Sequence, residues 1–221
     1  FCSMIGADGT LRKEEYIQAR LLSGLLLSFG EDMARVWEPG RADEQGVYAI
    51  PEEEDGAFED TAFCRILHTG KGKFCVVWNL GQTGQEKVLR IGGEECNVFV
   101  PPFYTAMIPV DIRLSPSVRL EWANYEIAWI RQEEGKCLVA LYGQGILRMR
   151  VLTEGRRVAV EESVSEKEVG ILEIGECTFL YGRPKTLARR DIPGLAPWCL
   201  EERNSYIQAE VKSARWIPWN Y

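Results

Sequence analysis

From residue 62 to residue 182 the chain is cut into short apolar segments by turn signals that recur roughly every 8–12 residues. TAFCRILH and KFCVVWNL flank TGKG, and VRLEWANYEIAWI and CLVALY are joined by RQEEGK. ILRMRVL and RRVAVEE surround TEG, then VGILEI and CTFLYG surround GE. Breaks of this kind read as hairpins. EKVLRI follows the Gly-rich turn GQTGQ, while NVFVPP and TAMIPV carry prolines that suit strand ends or edges. Such spacing favours antiparallel sandwiches over parallel α/β layers. The sequence therefore predicts a mainly β fold, one or more antiparallel β-sandwich domains preceded by one long N-terminal α-helix.

That helix is predicted over residues 8–36. Asp8 or Thr10 can cap it, and Ile17, Leu21, Leu22, Leu25, Leu26, Phe29 and Met33 follow helical spacing. Leu27 falls on what should be the polar side, so the middle is apolar nearly all round, as in a helix covered on more than one side. EPGRADEQG (38–46) ends it, and PEEEDGAFED (51–60) reads as an acidic loop. The expected organisation is a helical segment at 1–40, an antiparallel β-sandwich region at 41–182, and a linker with the start of a further β module at 183–221. Within the last region 184–190 reads as a short helix and 205–217 as a strand. The chain starts on Phe1 and stops at WIPWNY, so it is expected to be a piece of something longer.

A net charge of −7 argues against a nucleic-acid surface, which needs clustered Lys and Arg. The longest apolar cluster, LLSGLLLSF (21–29), is far short of the eighteen or more residues of a membrane span, and its flanks are wrong for a signal peptide. Neither nucleic acid nor membrane is expected as a partner. The seven cysteines, Cys2, Cys64, Cys75, Cys96, Cys137, Cys177 and Cys199, form no Cys-x-x-Cys, and several sit in apolar runs such as FCVVW and CLVALY. There a free Cys behaves as a small hydrophobe. All seven are expected to be reduced, in a cytoplasmic compartment.

Chemistry-bearing patterns are sparse. VRLEWANYEIAWI (118–130) reads as one strand, with Leu120, Trp122, Asn124 and Glu126 on one face and Glu121, Ala123, Tyr125, Ile127 and Trp129 on the other. Glu121 and Glu126 then lie roughly 16 Å apart on opposite faces, whereas paired glycosidase carboxylates need about 5–9.5 Å and a shared cleft. No catalytic residue is assigned, and Glu126 is expected to be structural, held by hydrogen bonds at the sandwich edge. The single histidine, His68, reads as a strand-end residue, and no Gly-x-Ser-x-Gly elbow accompanies it. No metal or other cofactor is expected, because no pair of ligands has structural-zinc spacing and the acidic run 52–55 lacks the alternation of a calcium loop. Trp78, Trp122 and Trp129 suit strand interiors, which leaves Trp198, Trp216 and Trp219 as candidates for carbohydrate contact.

The order of segments also carries a resemblance. GADGTLRKEEYIQARLL (6–22) resembles the stretch with the last barrel helix of family 35 glycoside hydrolases, the β-galactosidase family. VPPFYTAMIPVDIRL (100–114) looks like that family's proline-led strand and the next one. WANYEI (122–127) falls where many members have Tyr-Ser-Thr-Ala-Glu, with Glu126 on the matching Glu, and LVALYGQG (138–145) looks like the strand ending in Tyr-Gly-x-x-Gly. The resemblance covers residues 6–150 in order and implies the end of a (β/α)₈ barrel followed by non-catalytic β-domains. It implies parent activity on terminal β-galactosides, with the acid and nucleophile glutamates on barrel strands before residue 1. A stand-alone carbohydrate-binding module and a structural interaction domain are the competing readings. The barrel would be the partner of the helix at 8–36, and without it self-association is expected.

Overall fold

The structure, a computed structural model, describes residues 13–34, 47–48, 62–133, 135–190 and 195. Helix α1 spans Lys13–Ala34, inside the predicted 8–36. Strands follow as β1 (Val47–Tyr48), β2 (Ala62–Thr69), β3 (Gly72–Asn79), β4 (Gln85–Ile91), β5 (Glu94–Val100), β6 (Tyr104–Arg113) and β7 (Val118–Ala123). Then come β8 (Glu126–Glu133), β9 (Lys136–Tyr142), β10 (Ile146–Thr153), β11 (Arg156–Ser163), β12 (Gly170–Ile174), β13 (Cys177–Gly182) and the short helix α2 (Pro184–Ala188). The mainly β, helix-led fold expected from the sequence is what forms. Asp8, Thr10, the acidic loop 51–60 and the strand expected at 205–217 lie outside the described residues.

The strands build three sheets, ordered β1-β4-β5, β11-β10-β7-β6-β3-β2 and β12-β13-β9-β8. The six-stranded sheet is the middle layer. One face packs Cys75, Val77, Ile108, Val110 and Trp122 against Leu89, Cys96 and Val98 of the three-stranded sheet. Its other face packs Phe74, Leu120, Leu147 and Met149 against Ile127, Val139, Leu141 and Phe179 of the four-stranded sheet. Helices α1 and α2 cover the far side of that sheet, where Ile17, Leu21, Leu187 and Ala188 meet Ala128, Trp129, Ala140 and Tyr142. Two tight turns have local causes, and the sequence reading anticipates only the one in TEG. Gly92-Gly93 and Glu154-Gly155 have positive φ at both central residues, the conformation whose twist matches a two-residue hairpin.

Two features depart from the expected pattern. β13 runs parallel to β9, the one parallel pairing among the described strands, because the β12–β13 hairpin enters the four-stranded sheet from its far side. The stretch 118–130 is two strands rather than one: β7 belongs to the six-stranded sheet and β8 to the four-stranded sheet, with the chain turning at Asn124 and Tyr125. The alternation breaks within each strand as well. The register between β7 and β10 shifts beside Glu121, so Leu120 faces the central core and Trp122 the outer one. A second shift between Ile127 and Trp129 sends Ile127 inward and Trp129 under the helices. A bulge adds one residue to one strand and thereby reverses the facing of everything beyond it.

Helix α1 lies along edge strand β8. Ile17, Leu21, Leu25 and Phe29 form its buried stripe, and each buried side chain of this size contributes roughly 1.5–3 kcal/mol. Phe29 meets Phe74 edge to face at 5.0 Å, and Lys71 Nζ stands 5.4 Å from the centre of the Phe29 ring. Ser28 Oγ accepts from the Ile130 backbone N–H at 2.9 Å, so the helix also satisfies a donor of the edge strand. Arg20, buried, donates from Nε to the carbonyl oxygen of Ala188 at 2.7 Å. That places a cation at the C-terminus of α2, where the last carbonyls lack helical partners. On its other side α1 presents Leu22, Leu26 and Leu27, which are 49%, 48% and 59% exposed. The predicted apolar circumference is therefore real, but among the described residues only one stripe of it is covered.

Candidate functional site

The corner Trp122-Ala123-Asn124-Tyr125-Glu126 carries the densest polar arrangement in the described structure, and it arises from the chain leaving one sheet for another. Where β7 ends, its neighbours β10 and β6 lose a backbone partner. Asn124 replaces it on one side: its Oδ1 accepts from the Arg148 N–H at 2.7 Å and its Nδ2 donates to the Ile146 carbonyl at 2.9 Å. Glu126 replaces it on the other side, with Oε2 accepting from the Met107 N–H of β6 at 2.8 Å. Its Oε1 accepts from the Tyr104 hydroxyl at 2.8 Å, and the hydroxyls of Tyr104 and Tyr142 lie 3.5 Å apart. Two side chains thus continue ladders that the backbone abandons, which is why short polar residues interrupt an apolar run here.

Between them Tyr125 points into the central core, 1% exposed, and its hydroxyl donates to the Gly145 carbonyl at 3.0 Å. Its ring lies against Gly143, where an added Cβ would come within 2.7 Å of the ring's Cε1. The GQG segment is therefore a turn kept open for a tyrosine ring, and glycine at 143 is required by that close approach.

Burial pushes the Glu126 carboxyl up to about 7, against the hydrogen bonds from Met107, Tyr104 and Tyr142, which favour the charged form. Burial first, and then the Glu126 charge, also raises the hydroxyls of Tyr104 and Tyr142 above their ordinary range. A carboxyl poised near neutrality is the profile of a general acid, although structural networks perturb pKa in the same way. Geometry decides between them. Both oxygens of Glu126 are engaged by the protein's own donors, and Glu121, the other glutamate of the segment, pairs with Arg157 at 3.0 Å. No second carboxylate joins Glu126 in its hydrogen-bond network among the described residues. Glu126 on β8 hydrogen-bonds to Tyr104 and Met107 of β6 and so joins two sheets, and it does not share a face with Leu120 and Trp122 as the strict alternation assigned.

Two open grooves lie on the surface of the described residues. One, of about 430 Å³, runs between Glu94 at the start of β5 and the exposed face of β10 and β11, with Trp122 in its wall. Its charges are matched internally, Arg150 with Glu94 at 2.7 Å and Arg148 with Glu161 at 3.3 Å. The other, of about 580 Å³, follows Ser115–Arg119 and the β10–β11 turn. Neither is lined by Glu121 or Glu126.

The carbohydrate-contact candidates Trp198, Trp216 and Trp219 lie outside the described residues. Trp122 and Trp129 are core residues, 8% and 3% exposed, and Trp78 is half-buried. Among the described residues the large exposed aromatics are Phe99 and Phe103, at 39% and 72%. His68 is exposed on edge strand β2. Among the described residues no group of three His, Cys, Asp or Glu side chains could hold a metal, and no helix is long and apolar enough to cross a membrane. What sequence reasoning missed is the partnership of Tyr104 and Tyr142 with Glu126, because these residues are distant in the chain and meet only where three strands converge. No protein-family model matches the chain, and no curated protein matches it.

Proposed function

We propose that this chain is a non-catalytic β-sandwich portion of a β-galactosidase-like glycoside hydrolase, whose parent activity is hydrolysis of terminal β-galactosides. In this reading α1 is the seam between the sandwich and a (β/α)₈ barrel. The observation that carries it is the second apolar stripe of α1. Leu22, Leu26 and Leu27 lie outside the stripe that packs on the sandwich. A helix apolar on two sides is one built to be covered on both. Support also comes from the WANYE corner and the YGQG turn, two successive segments of the sequence resemblance, which contact each other through Tyr125, Gly143 and Gly145.

Two outcomes test the reading. Coding sequence preceding residue 1 that specifies a (β/α)₈ barrel supports it, and an unrelated sequence there overturns it. On the chain itself, concentration-dependent association is expected through the leucine stripe. The triple variant Leu22→Lys, Leu26→Lys, Leu27→Lys should be monomeric with an unfolding midpoint close to that of the parent. A parent chain that stays monomeric at high concentration, or a variant that loses its midpoint because the stripe is already covered, argues for a stand-alone module.

The chain alone should not hydrolyse nitrophenyl β-galactoside, since Glu121 and Glu126 share neither partners nor a groove. Turnover that disappears in Glu126→Gln would remove the non-catalytic assignment.

A further inference from the structure

We infer that Cys137 and Cys177 are a redox-responsive dithiol that a hydroperoxide closes to a cystine within the folded protein. Cys137 on β9 stands directly opposite Cys177 on β13 in the parallel ladder. Adjacent strands lie about 4.8 Å apart, inside the roughly 4.4–6.8 Å over which two Cα atoms accept a disulfide. Both side chains enter the same central core, both are 1% exposed, and both are free thiols. Register and burial thus put the two side chains side by side on one face of the sheet.

The two thiols are not equivalent. Gln132 donates from Nε2 to Cys137 Sγ at 3.3 Å and is itself held by the Leu114 carbonyl at 2.6 Å. Contact with Cys177 and then the Gln132 hydrogen bond pull the Cys137 thiol below its ordinary range. The Gln132 donor stabilises a thiolate on Cys137, which makes Cys137 the attacking sulfur and Cys177 the resolving one. The pair sits near the end of the sheet, where Lys136 next to Cys137 and Gly175 two residues before Cys177 are exposed, so a small oxidant has a short way in. Cys96, by contrast, is buried in the outer core, and burial pushes its thiol up to about 12.

The chemistry balances without a metal or cofactor. The Cys137 thiolate attacks one peroxide oxygen, the O–O bond breaks, and the departing oxygen takes a proton and leaves as water or alcohol. The sulfenic acid so formed is attacked by Cys177 sulfur, an S–S bond forms, and the S–O bond breaks to release water. Two thiols are oxidised and one peroxide is reduced. The product ties β9 to β13 and closes a chain loop that contains the whole β10–β11 hairpin and β12.

Treating the intact native chain with hydrogen peroxide, quenching with an alkylating reagent and mapping the peptides tests this. The expected result is loss of two thiols, a single cross-linked peptide pair joining Cys137 to Cys177, and full reversal by dithiothreitol. The midpoint of thermal unfolding should rise by roughly 5–10 °C in the oxidised form, as expected for closing a loop of this length. In Cys177→Ala the reaction should stop at a sulfenic acid on Cys137 that dimedone traps. Cross-links that involve other cysteines overturn the assignment. So does survival of both thiols at a peroxide level that fully oxidises the denatured chain. The map of the unaltered protein decides this even where a variant folds poorly, and its outcome is independent of the glycosidase reading.

Discussion

Replacing Glu126 with Gln is expected to remove most of the pH dependence of stability between about pH 5 and about pH 8. Burial pushes the carboxyl up to about 7 in the folded chain, from an ordinary value of 4.5. Between those values the folded protein keeps a proton that the unfolded chain has released. Stability contributed by this group is thus complete below the lower value and is lost as pH rises through the upper one. The difference corresponds to roughly 3 kcal/mol, a large part of a typical domain's margin. Gln has no proton to lose. Its carbonyl can accept from the Met107 N–H, and its amide can donate to the Tyr104 hydroxyl. The variant should therefore match the parent at low pH and exceed it at high pH. Denaturant midpoints at the two pH values measure this directly. A parent chain equally stable at both would mean that Glu126 is solvated, while Glu126→Ala, which orphans the Met107 donor, should cost about 1–3 kcal/mol.

Gly143→Ala is expected to destabilise the fold by about 1–3 kcal/mol, the usual cost of forcing one methyl into filled space. The methyl would meet the Tyr125 ring, which is fixed from the other end by its hydrogen bond to Gly145. Tyr125→Ala by itself should cost roughly 3–5 kcal/mol, as for other large buried aromatics. The informative measurement is the double variant. With the ring gone, the alanine methyl occupies part of the vacated volume, so the two losses should fall short of additive by more than the 0.5 kcal/mol or so seen for independent sites. Additive losses would show that Gly143 is needed for its backbone and not for the ring.

Much of the architecture was legible because its causes are local. Glycine at 155 permits the positive φ of a two-residue turn, so the position of the TEG hairpin follows from chemistry within a few residues. Gly92-Gly93, which the reading of the sequence passed over, has the same local cause. Leucine spacing gave α1 and even its second apolar stripe, since helical periodicity depends only on the residues of the helix. Expectations for Trp198, Trp216 and Trp219 concern residues beyond those described and stand as they were.

The segment 118–130 shows where that local information ends. Strict alternation assigns each of its residues a face, and two bulges and a change of sheet overturn the assignment. A bulge registers against the neighbouring strand, and no property of Glu121 or Ala128 alone announces it. The same holds for Glu126, whose partners come from β6 and β9, and for Cys137 and Cys177, which meet because β13 enters parallel to β9. By itself the sequence determined which segments become strands, turns and helix, because those choices are made by φ/ψ preference and periodicity. Only the tertiary structure decided which side chains meet across sheets, because that depends on strand order and register, and these are set by burial of the whole core.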